Sequence, residues 1–165
     1  MLARLRCGVA CAGMGRLVIV AVSAIAVLVP ARAMALSAPR AHPVDFKLYD
    51  AKVMSGGNRG TTAGVLSGKP FGSGAVVERI TVTSVNRSVA TTKVAFTIFT
   101  TQGTLEGTGR STRTTNANGT VTLVGTRTVG GGTGAYRAAR GRLTLHGRAA
   151  TNGLTTSRWA GSLRY

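Results

Sequence analysis

Cysteine, acid and histidine are scarce in this 165-residue chain, and the shortages narrow its chemistry. Both cysteines, Cys7 and Cys11, lie in an N-terminal segment that reads as removable, so no disulfide is expected in the mature chain even where an oxidising compartment would allow one. There are two histidines, His42 and His146; a structural zinc site wants four Cys or His ligands, so no metal and no cofactor are expected. The four acids, Asp45, Asp50, Glu78 and Glu106, are few enough to weigh one by one against 21 lysines and arginines. Aromatic residues make up 5% of the chain, too few for the stacking platforms of a single-strand binder, and no two basic residues are adjacent. Specific nucleic-acid binding is therefore not expected. Helical periodicity is missing after residue 43.

What is present begins with an export signal. Arg4, Arg6 and Arg16 form a basic start, Leu17 to Val29 is an uncharged run of thirteen residues, and Pro30 ends it. Ala33-Met34-Ala35 is a small-x-small cleavage site, with Ala31-Arg32-Ala33 as a second option. A membrane-spanning helix needs about 20 apolar residues. A signal peptide over 1–35, cleaved after Ala35 or Ala33, is thus favoured over an uncleaved anchor. It implies a secreted, extracellular product with no membrane anchor after cleavage. Residues 36–43, with two prolines, read as a flexible leader, and 44–165 as one domain. Loss of four arginines with the signal lowers the net charge from +17 to +13. Such a surface favours anionic partners, among them acidic cell-envelope polymers, although scattered cations also suit a merely solvated face.

The domain alternates with a period of two, as half-buried strands require. Val44-Phe46-Leu48 make one apolar face; Gly60–Leu66 is a weaker strand; Val76, Ile80 and Val82 share the third face, and Val94, Phe96 and Ile98 the fourth. Gly103–Thr114 is a fifth strand, followed by faces on Val121 and Leu123, on Leu143 and Leu145, and on Trp159, Leu163 and Tyr165. Asn118-Gly119 and Asn152-Gly153 are hairpin turns. Eight short antiparallel strands with one apolar face each make a barrel or a sandwich, and an eight-stranded barrel is either filled by side chains or holds one small ligand. Glycines recur inside the strands, at Gly107, Gly109, Gly125, Gly147 and Gly161 among others, marking bends or bulges and hinting at space inside the wall.

The segment from Gly130 to Gly141, GGGTGAYRAARG, fails as a nucleotide loop. After Gly132 and Gly134 a third glycine should stand at 137, where the chain has Arg. It reads instead as a turn with Tyr136 packed beneath it. Together with FGSGAVVERITV (Phe71 to Val82), FTIFTTQGTLEGTG (Phe96 to Gly109), the stretch from Asn118 to Gly147 and the closing WAGSLRY, it resembles the allene oxide cyclase barrel-like superfamily, which includes dirigent proteins and secreted bacterial members. That resemblance implies an eight-stranded antiparallel up-and-down β-barrel with an apolar lumen, often in a homo-oligomer. It also implies cofactor-free cyclase, isomerase or stereochemical-guide activity. It carries over no catalytic residue.

Parity supplies the candidate site. Asp45 and Glu106 face outward, Asp50 falls at the end of the first strand, and His146 faces out opposite Leu143 and Leu145. Glu78 shares the inward face of Val76 and Ile80, and Arg127 that of Val121 and Leu123, so the two are expected to meet across the lumen as the charged, catalytic pair. A bulge before Glu78 would instead turn it outward. Phe46, Phe96, Trp159 and Tyr165 are the expected ligand-binding walls, with simple core packing as the competing reading. The function expected is a secreted barrel that binds a small apolar molecule and guides its cyclisation or isomerisation. The alternative is a non-catalytic extracellular binding or structural protein that docks on anionic polymers.

Overall fold

The computed structural model describes residues 40–165, so the expected signal peptide and residues 36–39 of the leader lie outside the described residues. Eight strands follow one another around a closed antiparallel barrel: β1 (Ala41–Gly56), β2 (Arg59–Lys69), β3 (Gly72–Asn86), β4 (Val89–Thr100), β5 (Gly103–Thr115), β6 (Val121–Gly132), β7 (Arg140–Ala149) and β8 (Leu154–Arg164). β8 closes on β1 with Ala41 opposite Arg164 and Phe46 opposite Trp159. The last three residues of the expected leader, Ala41 to Pro43, are therefore part of β1. The backbone groups that a sheet edge would leave unpaired are consumed by this closure.

The connections sort to two ends. The turns β1–β2, β3–β4, β5–β6 and β7–β8 gather at one rim, which we call the mouth. Both Asn-Gly turns are here, with Gly119 at φ 79° and Gly153 at φ 84°, a left-handed region where glycine carries no Cβ penalty. The opposite end is plugged. Between β6 and β7 the chain makes one 3₁₀ turn, Gly134–Tyr136, that buries Tyr136 and Ala139. The Tyr136 hydroxyl donates to Gln102 Oε1 at 3.1 Å, and its ring meets Phe71 and Tyr165 edge-on. Gly134 has φ 58°, and a Cβ there would collide with the Gln102 carbonyl. The glycine-rich segment is thus the barrel's floor.

Inside, the lumen divides. Toward the floor it holds Val44, Phe46, Leu48, Leu66, Val76, Phe96, Ile98, Leu105, Val129, Leu143 and Leu163 around Trp159, all buried. Phe46 and Phe96 sit 5.4 Å and 5.3 Å from the indole, ring centre to ring centre. Such aromatic pairs add roughly 0.5–1.5 kcal/mol each beyond the area they bury. Many strand glycines face inward, where their missing side chains are replaced by a neighbour's. A Cβ on Gly107 would lie 2.6 Å from the Phe96 ring, and one on Gly109 would lie 2.7 Å from Arg127 Cδ. The space suggested by the glycine pattern is occupied by the largest interior side chains, as alternating small and large residues fill a small barrel.

Candidate functional site

Above the aromatic layer the lumen turns polar. Asp50, Thr62, Glu78, Thr92, Ser111, Arg127, Thr155 and Ser157 are all buried there, on seven of the eight strands. Glu78 points inward because pairing runs unbroken through it: Thr62 faces it on β2 and Phe96 on β4. The β3 bulge comes later, between Val82 and Ser84, so the outward-turned alternative does not occur. Arg127 Nε and Nη2 donate to the same carboxylate oxygen, Glu78 Oε1, at 3.0 and 2.8 Å. Nη1 reaches Ser111 Oγ at 3.0 Å and two backbone carbonyls, of Thr126 and Arg110. The guanidinium also lies over the Trp159 ring, 5.0 Å from its centre. At 2% exposure such an ion is tolerable only because pairing, hydrogen bonds and a cation–π contact replace its water. Glu78 Oε2 makes no hydrogen bond with any described residue.

A second carboxyl completes the cluster. Asp50 is only 6% exposed and, unlike the strand-end position expected for it, sits in mid-strand on the inner face. Burial and, after it, the Glu78 charge push its pKa up to about 6, while Arg113, Thr62 and Arg127 oppose the rise in part. Gly64 stands opposite Asp50 in the register, and a Cβ there would lie 2.6 Å from the Asp50 Cβ. Thr62 lies near enough to favour the charged form of Asp50, yet its buried Oγ1 makes no hydrogen bond of proper geometry. Asp50, Thr62, Glu78, Arg113 and Arg127 surround a cavity of about 20 Å³, which admits one water molecule. Toward the mouth this neck widens into a recess of about 490 Å³, bordered by Ile80, Val82 and Val121 with Lys52, Arg59 and Arg113. Thr62, Ile80, Arg113 and Thr155 border both spaces, so the two form one cup with a narrow bottom.

No protein-family model matches the chain, and no curated protein matches it.

The structure brings Glu78 and Arg127 together at hydrogen-bond distance. It places the four aromatic residues outside the cup. Phe46, Phe96 and Trp159 fill the lower lumen against one another, and Tyr165 lies at the plugged end, stacked on His42 at 4.4 Å; none of them borders the cup. Asp45 faces outward and is bound by Arg158, with Nε 2.7 Å from Oδ1. Glu106 and His146 are exposed. Sequence reasoning missed Asp50, Thr62 and Arg113. Continuing the Val44-Phe46-Leu48 alternation to the Gly56-Gly57-Asn58 turn would have found Asp50. Among the described residues no cluster of His, Cys, Asp and Glu suited to a metal occurs.

Proposed function

We propose that this chain is an exported small-molecule-binding β-barrel, similar to the allene oxide cyclase and dirigent group, that seats its ligand in the mouth-end cup. Asp50, Glu78 and Arg127 then guide cyclisation or isomerisation by proton transfer without a cofactor. The observation that carries this reading is the convergence of two buried carboxyls, one ion-paired and one with a pKa near 6, on the bottom of an open recess. Carboxyls in unlike environments divide acid and base roles, because the poorly solvated one keeps its proton while the paired one stays charged. Asp50 would donate or accept a proton near neutral pH, Glu78 Oε2 would accept, and Arg127 would hold Glu78 and steady developing negative charge. The apolar lower lumen serves as a rigid bed for the cluster. This reading moves the ligand from the aromatic layer to the cup.

The test is a screen of small enones and epoxides by amide NMR on the purified protein. Shifts are expected at Thr62, Ile80, Val82 and Thr155. For any compound turned over, Asp50→Asn and Glu78→Gln should each lower kcat by about 10²–10⁴-fold, the usual range for a general acid or base. Shifts confined to the outer wall, or turnover untouched by both substitutions, would overturn the reading.

One observation favours docking on anionic envelope polymers as a second reading. On the outer wall Lys93 stands directly opposite Arg110, and Arg140 directly opposite Arg164. Like charges so placed repel. A trough of about 550 Å³ beside the first pair is lined by Arg79, Lys93, Arg110 and Arg142 and by no acid. Retention on a polyphosphate resin should fall when Lys93 and Arg110 are both changed to Glu. Equal retention would exclude this trough.

A further inference from the structure

We infer that the cup takes a small organic oxyanion head-first, with the anionic group on Arg113 and Thr62 and the body of the molecule in the recess above. The inference rests on the reading of the cup as the ligand site and names the class of ligand. Arg113 is the one charged residue that borders both the neck and the recess. It faces inward from β5 with Leu123 opposite it on β6, and it makes no hydrogen bond or ion pair with any described residue. Arg127, two layers deeper, has all its ends occupied. Thr62 Oγ1 is the second observation: a hydroxyl nine-tenths buried, unpartnered, on a residue bordering the same two spaces. A guanidinium fork and a hydroxyl donor are what a carboxylate, sulfate or phosphate oxygen requires.

Charge selects the same class. The recess is bordered by Lys52, Arg59 and Arg113 and by no acid, the carboxyls of Asp50 and Glu78 lying in the neck beneath it, and Lys52 is the register partner of Thr62. An ammonium ligand is repelled by three cations. A neutral ligand would strip water from Arg113 without replacing it and leave Thr62 unpartnered, which costs the site its affinity. An oxyanion satisfies both. The head group then sits at the junction of neck and recess, above a neck that admits one water, while Ile80, Val82 and Val121 give an apolar body a wall.

Asp50 makes the site respond to pH. The charged and polar groups facing it are Thr62 on β2, Glu78 on β3, Arg113 on β5, Arg127 on β6 and Thr155 on β8. Glu78 and Arg127 pair with each other, which leaves Asp50 and the incoming anion to compete for Arg113. As pH falls through about 6, Asp50 takes a proton, the competition ends, and the anion binds more tightly.

The experiment compares hexyl sulfate, hexanoate, 1-hexanol and hexylamine by calorimetry and amide NMR. Hexyl sulfate keeps its charge across the whole pH range, so any pH dependence of its binding belongs to the protein. Hexyl sulfate and hexanoate should bind with shifts at Thr62, Ile80 and Arg113; the ratio of the two tells which oxyanion fits better. Arg113→Gln should weaken both about ten- to hundredfold, as loss of a charge-assisted hydrogen bond implies, and Arg113→Lys should restore part. Hexyl sulfate should bind several-fold more tightly at pH 5 than at pH 7.5, and Asp50→Asn should flatten that dependence. Equal binding of hexanol and hexyl sulfate in the cup, or indifference to Arg113→Gln, overturns the oxyanion inference and leaves the cup reading standing. No probe in the cup at all overturns both.

Discussion

The two halves of one lumen, built on the same eight strands, solve the same filling problem in opposite ways. Toward the floor, Trp159, Phe46 and Phe96 occupy the space that inward glycines vacate, held mainly by close packing, with one hydrogen bond from Trp159 Nε1 to Ser157 Oγ at 3.1 Å. Toward the mouth, comparable space is given to an arginine, two carboxyls and five hydroxyl side chains, held by charge and hydrogen bonds. The lower half is packed apolar core. The upper half carries buried ions that apolar residues of like volume would replace at little or no loss. A fold that needed only stability would have no reason to place them there. The contrast therefore separates scaffold from site within a single cross-section, with Arg127 on the boundary: its face lies on Trp159 and its edge on Glu78.

The contrast can be broken most sharply by removing the largest side chain on each side. Trp159→Ala and Arg127→Met should each cost about 3–5 kcal/mol in denaturant unfolding, the first by leaving a cavity and the second by stranding Glu78. Adding Glu78→Gln should recover much of the Arg127→Met loss, whereas no single polar change should rescue Trp159→Ala. Rescue of neither would mean that the upper half is packed as tightly as the lower.

Next in size is the pH effect of Asp50. Its folded pKa of about 6 lies above the ordinary aspartate value of 3.8, so the native state binds more protons than the unfolded chain between those values. Stability from this group is therefore full below about pH 4 and is lost as pH rises through about 6. A rise of that size is worth roughly 2–3 kcal/mol. Asp50→Asn should flatten the curve of stability against pH over that window and raise the midpoint at pH 7. A wild-type curve with no fall there would show Asp50 to be well solvated.

The smallest effect sharpens the comparison from outside. Asp45 and Arg158 also form a two-point ion pair, but both are exposed, and water and salt screen them. Asp45→Asn should leave the thermal midpoint unchanged within error, in contrast to any break in the Glu78–Arg127 pair. A drop rivalling that of Arg127→Met would mean that the β1–β8 seam depends on this bond.

Much of this was legible in the residues. Two-residue alternation and two Asn-Gly turns are local signals, and they announced all eight strands of the barrel. Parity also put Glu78 and Arg127 in the lumen, since no bulge intervenes between Val76 and Glu78. What could not be read was depth along the barrel axis. Phe96 and Thr92 share a face of β4, and only the stagger of neighbouring strands assigns one to the packed layer and the other to the cup. Asp50 was lost for a related reason: β1 runs through a bulge between Lys52 and Met54, and beyond Leu48 its apolar alternation stops although the strand continues. Glycine misled in the same way. A missing side chain marks a gap in the wall, and the residue that fills the gap comes from another strand.

The seam between β1 and β8 has a kinetic consequence. Phe46 and Trp159 are register partners separated by more than a hundred residues of chain, so the ring cluster cannot assemble until the final strand is available. Closing so long a loop costs entropy before any packing repays it, and rates fall as contacts become more distant in sequence. Until then a growing sheet of Thr- and Val-rich strands has an open edge on each side. The barrel should therefore form late and slowly, in one concerted step once β8 has been made, and its most vulnerable moment precedes the arrival of that eleven-residue strand.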